Sequence, residues 1–153
     1  MSEIARIADQ LRRSQHGEAW HGPALAELLA DIDAAQALQR PNPAAHNIWE
    51  LVNHITAWQT AANGAVRGGV MPRLGKADDW PPAGRAEAEW RAAVKRLAKA
   101  NQELHSALSK FPEERLDDRL PGRKHSFYFM LHGIIQHNLY HGGQVALLKK
   151  LLA

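Results

Sequence analysis

Histidine is the residue type in this sequence that could support the most varied chemistry. The 153 residues include nine histidines and no cysteine. Without cysteine the protein has no disulfide, no thiolate zinc site, no iron–sulfur cluster and no cysteine nucleophile. Any transition-metal site must therefore be built from imidazole and carboxylate ligands. A sulfur nucleophile, if the chemistry uses one, must come from a cosubstrate.

Two histidines near the end of the chain have the spacing of a paired metal site. His137 and His141 are four residues apart, which places them on one face of a helix, about one turn from each other. Met130, Ile134 and Leu148 share this face, so the pair points toward a helical core. Imidazoles that face a core need partners for their nitrogens, and a metal ion provides one. The bare spacing also arises by chance among nine histidines, so the apolar context decides.

His54 is the natural third ligand. It lies between Leu51 and Trp58 on the inner face of an earlier amphipathic helix. Two histidines from one helix and one from another give a facial set of three nitrogens, which leaves a coordination position open for water or substrate. Neutral imidazoles suit Zn, Ni, Fe or Cu. Gln144, one turn after His141, is predicted to hydrogen-bond a ligand imidazole or a metal-bound water.

The other six histidines are predicted to have structural or solvent roles. His132 lies about 180° around its helix from His141 and cannot share the same metal ion. His21, beside Trp20, is the one of the six considered for a pocket wall, and Trp58 is considered for the same role. The remaining four are His46 and His125 at helix starts, His105 on a charged helix and His16 beside a loop.

Helical periodicity indicates how these residues are positioned. No stretch alternates apolar and polar residues over six positions, whereas a helical pattern recurs four times. Asn47, with Glu50 three residues later, resembles a capping box. The predicted long helices run over about residues 2–15, from Asn47 to the Gly68-Gly69 pair, over about residues 85–111 and from Ser126 to the C-terminus, with one short extra helix starting at Pro23. We expect an all-α four-helix bundle that forms a single domain over residues 1–153.

The connection between the second and third long helices predicts the order of the bundle. Residues 70–84, VMPRLGKADDWPPAG, are fifteen residues with three prolines. Antiparallel neighbours in a bundle need only about 2–8 residues. A longer, stiff segment is typical of a crossover between parallel helices. We therefore expect an up-down-down-up bundle in which the second and fourth long helices are antiparallel.

Bulk composition excludes several function classes. Hydrophobic residues make up 45% of the chain and charged residues 23%, which is ordinary for a soluble globular protein. The starting segment MSEIARIADQLRR lacks the apolar core of a signal peptide, and no apolar run reaches the roughly 18 residues of a membrane span. The net charge of +3 comes from dispersed basic residues, not from a basic stripe. We expect a cytoplasmic protein with neither a nucleic-acid nor a membrane partner.

Three segments of the chain carry a family resemblance: AWHGPALAELL, HNIWELVNHITAW and LHGIIQHNLYHGGQVALLKK. They are similar to blocks of the DinB/YfiT-like superfamily of metal-dependent enzymes, and the resemblance spans about residues 19–151. It implies an up-down-down-up four-helix bundle, often a homodimer, with a divalent metal on three histidines. By motif these are His54 of the second long helix and the HxxxH pair, His137 and His141, of the fourth. The implied ion is Zn, Ni, Fe or Mn, with Zn and Ni first.

The resemblance also implies chemistry on small molecules. Characterised relatives include transferases that attach low-molecular-weight thiols such as bacillithiol or mycothiol to electrophiles, a maleylpyruvate isomerase, and proteins described as hydrolases. Our first hypothesis is a metal-dependent thiol transferase or hydrolase, which activates a thiol cosubstrate or water for attack on a small electrophile. The alternative is a non-catalytic dimeric stress-response protein that binds a metal or another ligand. An open site beside a solvent-reaching pocket favours the enzyme, and a closed site favours the alternative.

Overall fold

The computed structural model describes residues 1–152, and these residues form an all-helical fold. Four long helices make up most of it, and three short helices lie in the connections. An isolated bridge between Arg119 and Ser126 is the one extended pairing in the described part of the chain. In chain order the helices are α1 (Glu3–His16), α2 (Leu25–Leu29), α3 (Ala34–Leu38), α4 (Ile48–Val66), α5 (Lys76–Asp79), α6 (Glu87–Leu108) and α7 (Phe127–Leu151), with a 3-10 turn at Glu113–Arg115.

The long helices begin where the sequence places capping residues. The Asn47 side chain accepts a hydrogen bond from the Glu50 N–H at 2.8 Å, and the Glu50 carboxylate accepts one from the Asn47 N–H at 3.3 Å. This is the predicted capping box, which satisfies two unpaired donors at the start of α4. Ser126 caps α7 through its hydroxyl. α4 ends at Val66, shortly before Gly68, whose φ of 99° favours glycine.

The predicted short helix after α1 is present as α2, which begins at Leu25, and two further short helices, α3 and α5, were not predicted. The sequence carries a signal for α3: the Asp33 carboxylate accepts a hydrogen bond from the Gln36 N–H at 2.8 Å. α5 lies in the connection between α4 and α6, for which no helix was predicted. α6 ends at Leu108 instead of near residue 111, because Lys110 and Phe111 hydrogen-bond three residues back in tighter turns.

The bundle interior contains two apolar clusters with a polar layer at their boundary. One cluster is built around Leu11, Leu104, Leu108 and Phe127, and the other around Leu29, Trp49, Trp90 and Val145. Between them along the helices lies a set of buried polar side chains, here called the amide layer: Ser14, Gln59, Asn101 and Asn138. Asn101 donates a hydrogen bond to Gln59 at 2.9 Å, and Asn138 donates one to Ser14 at 3.1 Å. Asn101 also donates a hydrogen bond to the carbonyl oxygen of Leu11 on α1 at 3.4 Å, so the layer joins all four long helices.

The long helices contact one another around this layer. α4 packs against α6 and α7, and α1 packs against the same two helices. Near the starts of α4 and α6, the rings of Trp49 and Trp90 lie 5.4 Å apart. The connection between α4 and α6 folds back onto α4, where Asn53 donates hydrogen bonds to the carbonyl oxygens of Pro81 and Pro82 at 3.3 and 2.9 Å. None of the described helices has the length and apolar character that a membrane span requires.

Candidate metal centre

Three histidines from two helices converge between α4 and α7. His54, His137 and His141 each offer one ring nitrogen, and these nitrogens all lie within 4.8 Å of one another. The Nε2 atoms of His54 and His137 are 2.9 Å apart. His54 and His141 are buried, and His137 is half-buried. The structure thus brings together the three residues that spacing selected, and their role as metal ligands remains a prediction.

The His54 ring is held by the connection that folds over it. Its Nδ1 lies 2.6 Å from the carbonyl oxygen of Asp79 and 3.2 Å from the Asp79 carboxylate. Both of these are acceptors, so Nδ1 carries the proton in the neutral ring and the Nε2 lone pair faces the other histidines. The Asp79 carboxylate also accepts a hydrogen bond from the Trp58 indole N–H at 2.7 Å. Such outer hydrogen bonds orient histidine ligands in metal sites.

The two histidines of α7 are held differently from each other. The Nδ1 of His141 lies 2.6 Å from the Gln144 side-chain oxygen, which confirms the predicted contact between these residues. That hydrogen bond leaves the Nε2 of His141 available. The Nδ1 of His137 is buried and has no hydrogen-bond partner among residues 1–152. His137 is therefore oriented by packing and by the 2.9 Å contact of its Nε2 with His54, and its ring lies 4.4 Å from that of His141 and 6.1 Å from that of Trp58.

Burial keeps these rings uncharged. Loss of solvent lowers the pKa of His54, and the hydrogen bond to the Asp79 carbonyl only partly opposes this effect. Loss of solvent also lowers the pKa of His141, although its bond to Gln144 opposes it. For His137, loss of solvent together with the neighbouring histidines lowers the pKa to about 3. All three imidazoles are therefore neutral at pH 7, which is the form that binds metal ions.

The arrangement fits a divalent transition-metal ion. Two nitrogen ligands at about 2.1 Å from one metal ion would be separated by about 3.0 Å at an angle of about 90° and by about 3.4 Å at a tetrahedral angle. The observed 2.9 Å between the Nε2 atoms of His54 and His137 is close to the smaller of these separations. The donor set is three neutral nitrogens, which suits borderline ions such as Zn and Ni better than Mg or Ca. His54 and His137 already lie at a separation that one ion can bridge. The ligand nitrogens of the full set lie within 4.8 Å of one another, and side-chain adjustment would have to bring His141 within about 4.2 Å of the other two for all three to bind one ion.

An aromatic stack covers the histidines on the side of the connection. The Trp80 ring lies parallel to His54 with centroids 3.8 Å apart, and it stacks on His46 from its other face at 3.5 Å. His46 lies at the start of α4 as predicted, and its ring also packs on Trp80 beside the site, which was not predicted. Sequence reasoning also missed Asp79 and Trp80. The one available signal was the acidic pair Asp78-Asp79 followed by Trp80 inside a proline-rich connection.

A cavity of about 500 Å³ opens beside the histidines. Its lining residues are Ala44, Ala45, His46, Leu51, Trp80, Tyr140, His141, Gln144, Leu147 and Leu148. His141 is the member of the cluster that this cavity reaches. His21, which was considered for a pocket wall, is exposed and does not line this cavity. Trp58 does line a pocket, but it is a separate apolar slot of about 220 Å³.

Comparison with protein families identifies the family to which this helical fold and histidine cluster belong. A family model described as the DinB superfamily matches residues 19–145, which is 127 of the 153 residues and includes all three histidines. Comparisons with curated proteins and with solved structures gave no significant match. Because the family match covers most of the chain and the helices and histidine cluster agree with it, the chain belongs to the DinB superfamily.

Proposed function

We propose that the protein is a metal-dependent enzyme that promotes attack of a thiol cosubstrate or water on a small electrophile. The observation that carries the proposal is the meeting of three neutral imidazoles at the edge of a cavity of about 500 Å³. His54, His137 and His141 would hold the ion. When bound, a divalent ion supplies Lewis-acid chemistry that lowers the pKa of a thiol or water beside it. With no cysteine in the chain, a thiol must enter as a cosubstrate.

The cavity walls indicate which electrophile the site would accept. The lining is mainly apolar, and no lysine, arginine, aspartate or glutamate contributes to it. The Tyr140 hydroxyl and the Gln144 amide are the polar groups on α7 that would orient a substrate. Trp80 and His46 form an aromatic wall that excludes water from one side. These features favour a small, neutral, largely apolar electrophile.

The proposal includes the up-down-down-up order and a single domain. Trp49 contacts Trp90, and ten residues later Gln59 hydrogen-bonds Asn101, which supports parallel α4 and α6. His54 contacts His141, and Trp58, one turn later, shares a pocket with Met130, which supports antiparallel α4 and α7. In this order the long connection has to cross the bundle. It thereby carries Asp79 and Trp80 over the histidines.

Metal analysis and a turnover assay test the proposal together. Protein purified without a His tag would be loaded with Zn or Ni and assayed with glutathione plus monobromobimane for thiol transfer, and with p-nitrophenyl acetate for hydrolysis. We expect metal-dependent turnover that falls at least about 100-fold in His141→Ala. His132→Ala is the matched control on the same helix and should keep both metal and activity. Absence of metal uptake would refute the site, and metal uptake without turnover would favour the alternative function.

A specific observation supports a non-catalytic dimer as the second candidate. α7 exposes a row of apolar side chains at helical spacing, Tyr140, Leu147 and Leu151, which are 67, 59 and 60% exposed. A second copy of the chain packed along this row would bury them and border the cavity. Leu151→Glu should then convert a dimer into a monomer in light-scattering measurements. If the wild-type protein is itself monomeric at micromolar concentration, the dimer is excluded.

A further inference from the structure

Two adjoining concavities lie at the start of α7, away from the cavity already described. The first, here called the apolar slot, is the 220 Å³ pocket with Trp58, Met71, Phe129 and Met130 in its walls. The second, here called the basic hollow, has a volume of about 770 Å³ and is lined by Arg73, Arg119, Lys124 and the turn between them. Leu120, Arg123 and His125 line both concavities. A ligand could therefore occupy the two together.

The basic hollow concentrates positive charge without compensation. None of its four arginine and lysine side chains forms an ion pair within residues 1–152, and no aspartate or glutamate lines the hollow or the slot. The guanidinium of Arg123 donates to the carbonyl of Pro72, which holds it at the rim. α7 begins two residues after His125, which lines the hollow. An anionic group is the complement of this surface.

The hollow and the slot belong to an ordered part of the fold. The Arg119–Ser126 bridge and a 2.9 Å hydrogen bond from the Leu120 N–H to the His125 carbonyl close the turn that forms the hollow. Gly122 has a φ of 76°, and a Cβ there would lie 3.0 Å from Val70, so the turn packs closely on the connection after α4. The contact brings Arg73 beside residues more than forty positions later in the chain.

The slot supplies the complementary apolar surface. The His125 ring stacks on Phe129 with centroids 4.1 Å apart and an angle of 18°, so these rings form a wall between the slot and the hollow. Met71 and Met130 are buried against the opposite side, and methionine adapts readily to the shape of an apolar ligand. Trp58 is the one residue that the slot shares with the surroundings of the histidine cluster.

We propose that this region is a binding site for a small amphiphilic anion. A single ring or a short alkyl chain occupies the slot, and its carboxylate or phosphate lies on Arg119, Arg123 and Lys124. The site is separate from the 500 Å³ cavity, with which it shares no lining residue. The proposal does not depend on metal binding or on turnover. A failed enzyme assay therefore leaves it intact, and a failed binding test leaves the enzyme proposal intact.

Methyl-labelled methionine provides a local test of this site. The chain has three methionines, of which Met71 and Met130 line the slot and Met1 does not. With ¹³C-methyl methionine, octanoate and octyl phosphate should each shift the Met71 and Met130 signals while Met1 stays in place. Octanamide, which has the same chain without charge, and inorganic phosphate, which has the charge without a chain, should bind at least about tenfold more weakly. Equal binding of octanoate and octanamide would overturn the proposal.

Charge and slot variants separate the two halves of the ligand. Arg119→Gln combined with Lys124→Gln should weaken octanoate binding about fivefold and leave octanamide unchanged, because exposed ion pairs contribute modestly. Phe129→Ala should weaken octanoate and octanamide alike. Lys95→Gln, an exposed lysine of α6, is the matched control and should change neither. A single-stranded oligonucleotide that shifts the same methyl signals and displaces octanoate would instead identify a nucleic-acid surface and refute the proposal.

Discussion

The bundle buries two groups of polar side chains, and the two are connected in opposite ways. The amide layer is at most 3% exposed, and its members hydrogen-bond to one another across helices. The histidine cluster begins only five residues before Gln59 on α4, and His137 is the neighbour of Asn138 on α7. The Nδ1 of His54 is hydrogen-bonded to Asp79, and the Nδ1 of His141 is hydrogen-bonded to Gln144. The Nε2 atoms of His54 and His137 face each other.

This difference separates a structural role from a binding role. Hydrogen bonds across helices in a dry interior fix the register of the helices, so losing one costs stability. His54 and His141 each use Nδ1 in a hydrogen bond that orients the ring, and this leaves Nε2 available for a ligand shared with His137. Their arrangement next to a cavity is typical of a ligand-binding site and not of a structural hydrogen-bond network. Substitutions in the two groups should therefore change different measurements.

Metal binding should produce the largest effect. At a free Zn or Ni concentration 100 times the Kd, the wild-type protein should gain about 2.7 kcal/mol, which is a rise in Tm of roughly 5–11 °C for a chain of this size. His137→Ala should show no such rise, because it removes one of three ligands. His132→Ala should behave like the wild type. Differential scanning fluorimetry with and without a chelator measures the shift, and an equal shift in His137→Ala would contradict the assigned site.

The second effect tests the other half of the comparison. Asn101→Leu removes the donor to Gln59 and leaves a buried amide oxygen without its partner, which should lower the free energy of unfolding by about 2 kcal/mol. Metal affinity should stay within about twofold. Gln102→Leu, the exposed neighbour, is the matched control and should cost less than about 0.5 kcal/mol. Urea unfolding gives these values. A large loss of metal affinity in Asn101→Leu would show that the amide layer also supports metal binding, which would contradict the separation of the two roles.

The histidine cluster was accessible to sequence reasoning for a physical reason. His54, His137 and His141 lie on long regular helices, so a period of 3.6 residues determines which face each one occupies. The apolar stripes of α4 and α7 then determine that these faces meet. The same reasoning predicted the cap at Asn47 and the contact between His141 and Gln144. Each of these statements needs only local spacing and one amphipathic pattern.

Features that depend on the path of a connection were not accessible. Asp79 and Trp80 reach His54 because residues 67–86 fold back over α4, and no periodicity describes that path. The basic hollow has the same origin, since Arg73 joins Arg119 only in three dimensions. Because these basic residues are far apart in the sequence, the net charge of +3 did not indicate a local basic patch. The amide layer was different: Gln59 and Asn101 interrupt apolar faces at helical spacing, and that signal was available in the sequence.

The third effect concerns the residue that orients His141. Gln144→Leu keeps the carbon branch of the side chain and removes the acceptor at 2.6 Å, so His141 loses its preferred orientation and tautomer. Metal affinity should fall about tenfold, while the free energy of unfolding without metal changes little. Gln136→Leu is the matched control, because Gln136 is exposed on the same helix. Competition with a chromogenic chelator measures the affinity, and equal affinities for the two variants would make Gln144 a substrate contact only.

The smallest effect separates the two oxygens with which Asp79 contacts His54. Trp58→Phe removes the indole N–H that holds the Asp79 carboxylate, and it should lower the free energy of unfolding by about 1 kcal/mol. The carbonyl of Asp79 stays 2.6 Å from His54, so metal affinity should fall by no more than about threefold, less than in Gln144→Leu. A tenfold loss would mean that the carboxylate, at 3.2 Å, orients the ring. The histidine cluster would then depend on the connection between α4 and α6 for a negative charge as well as for the Trp80 ring that stacks on it. No residue of the amide layer depends on this connection in that way.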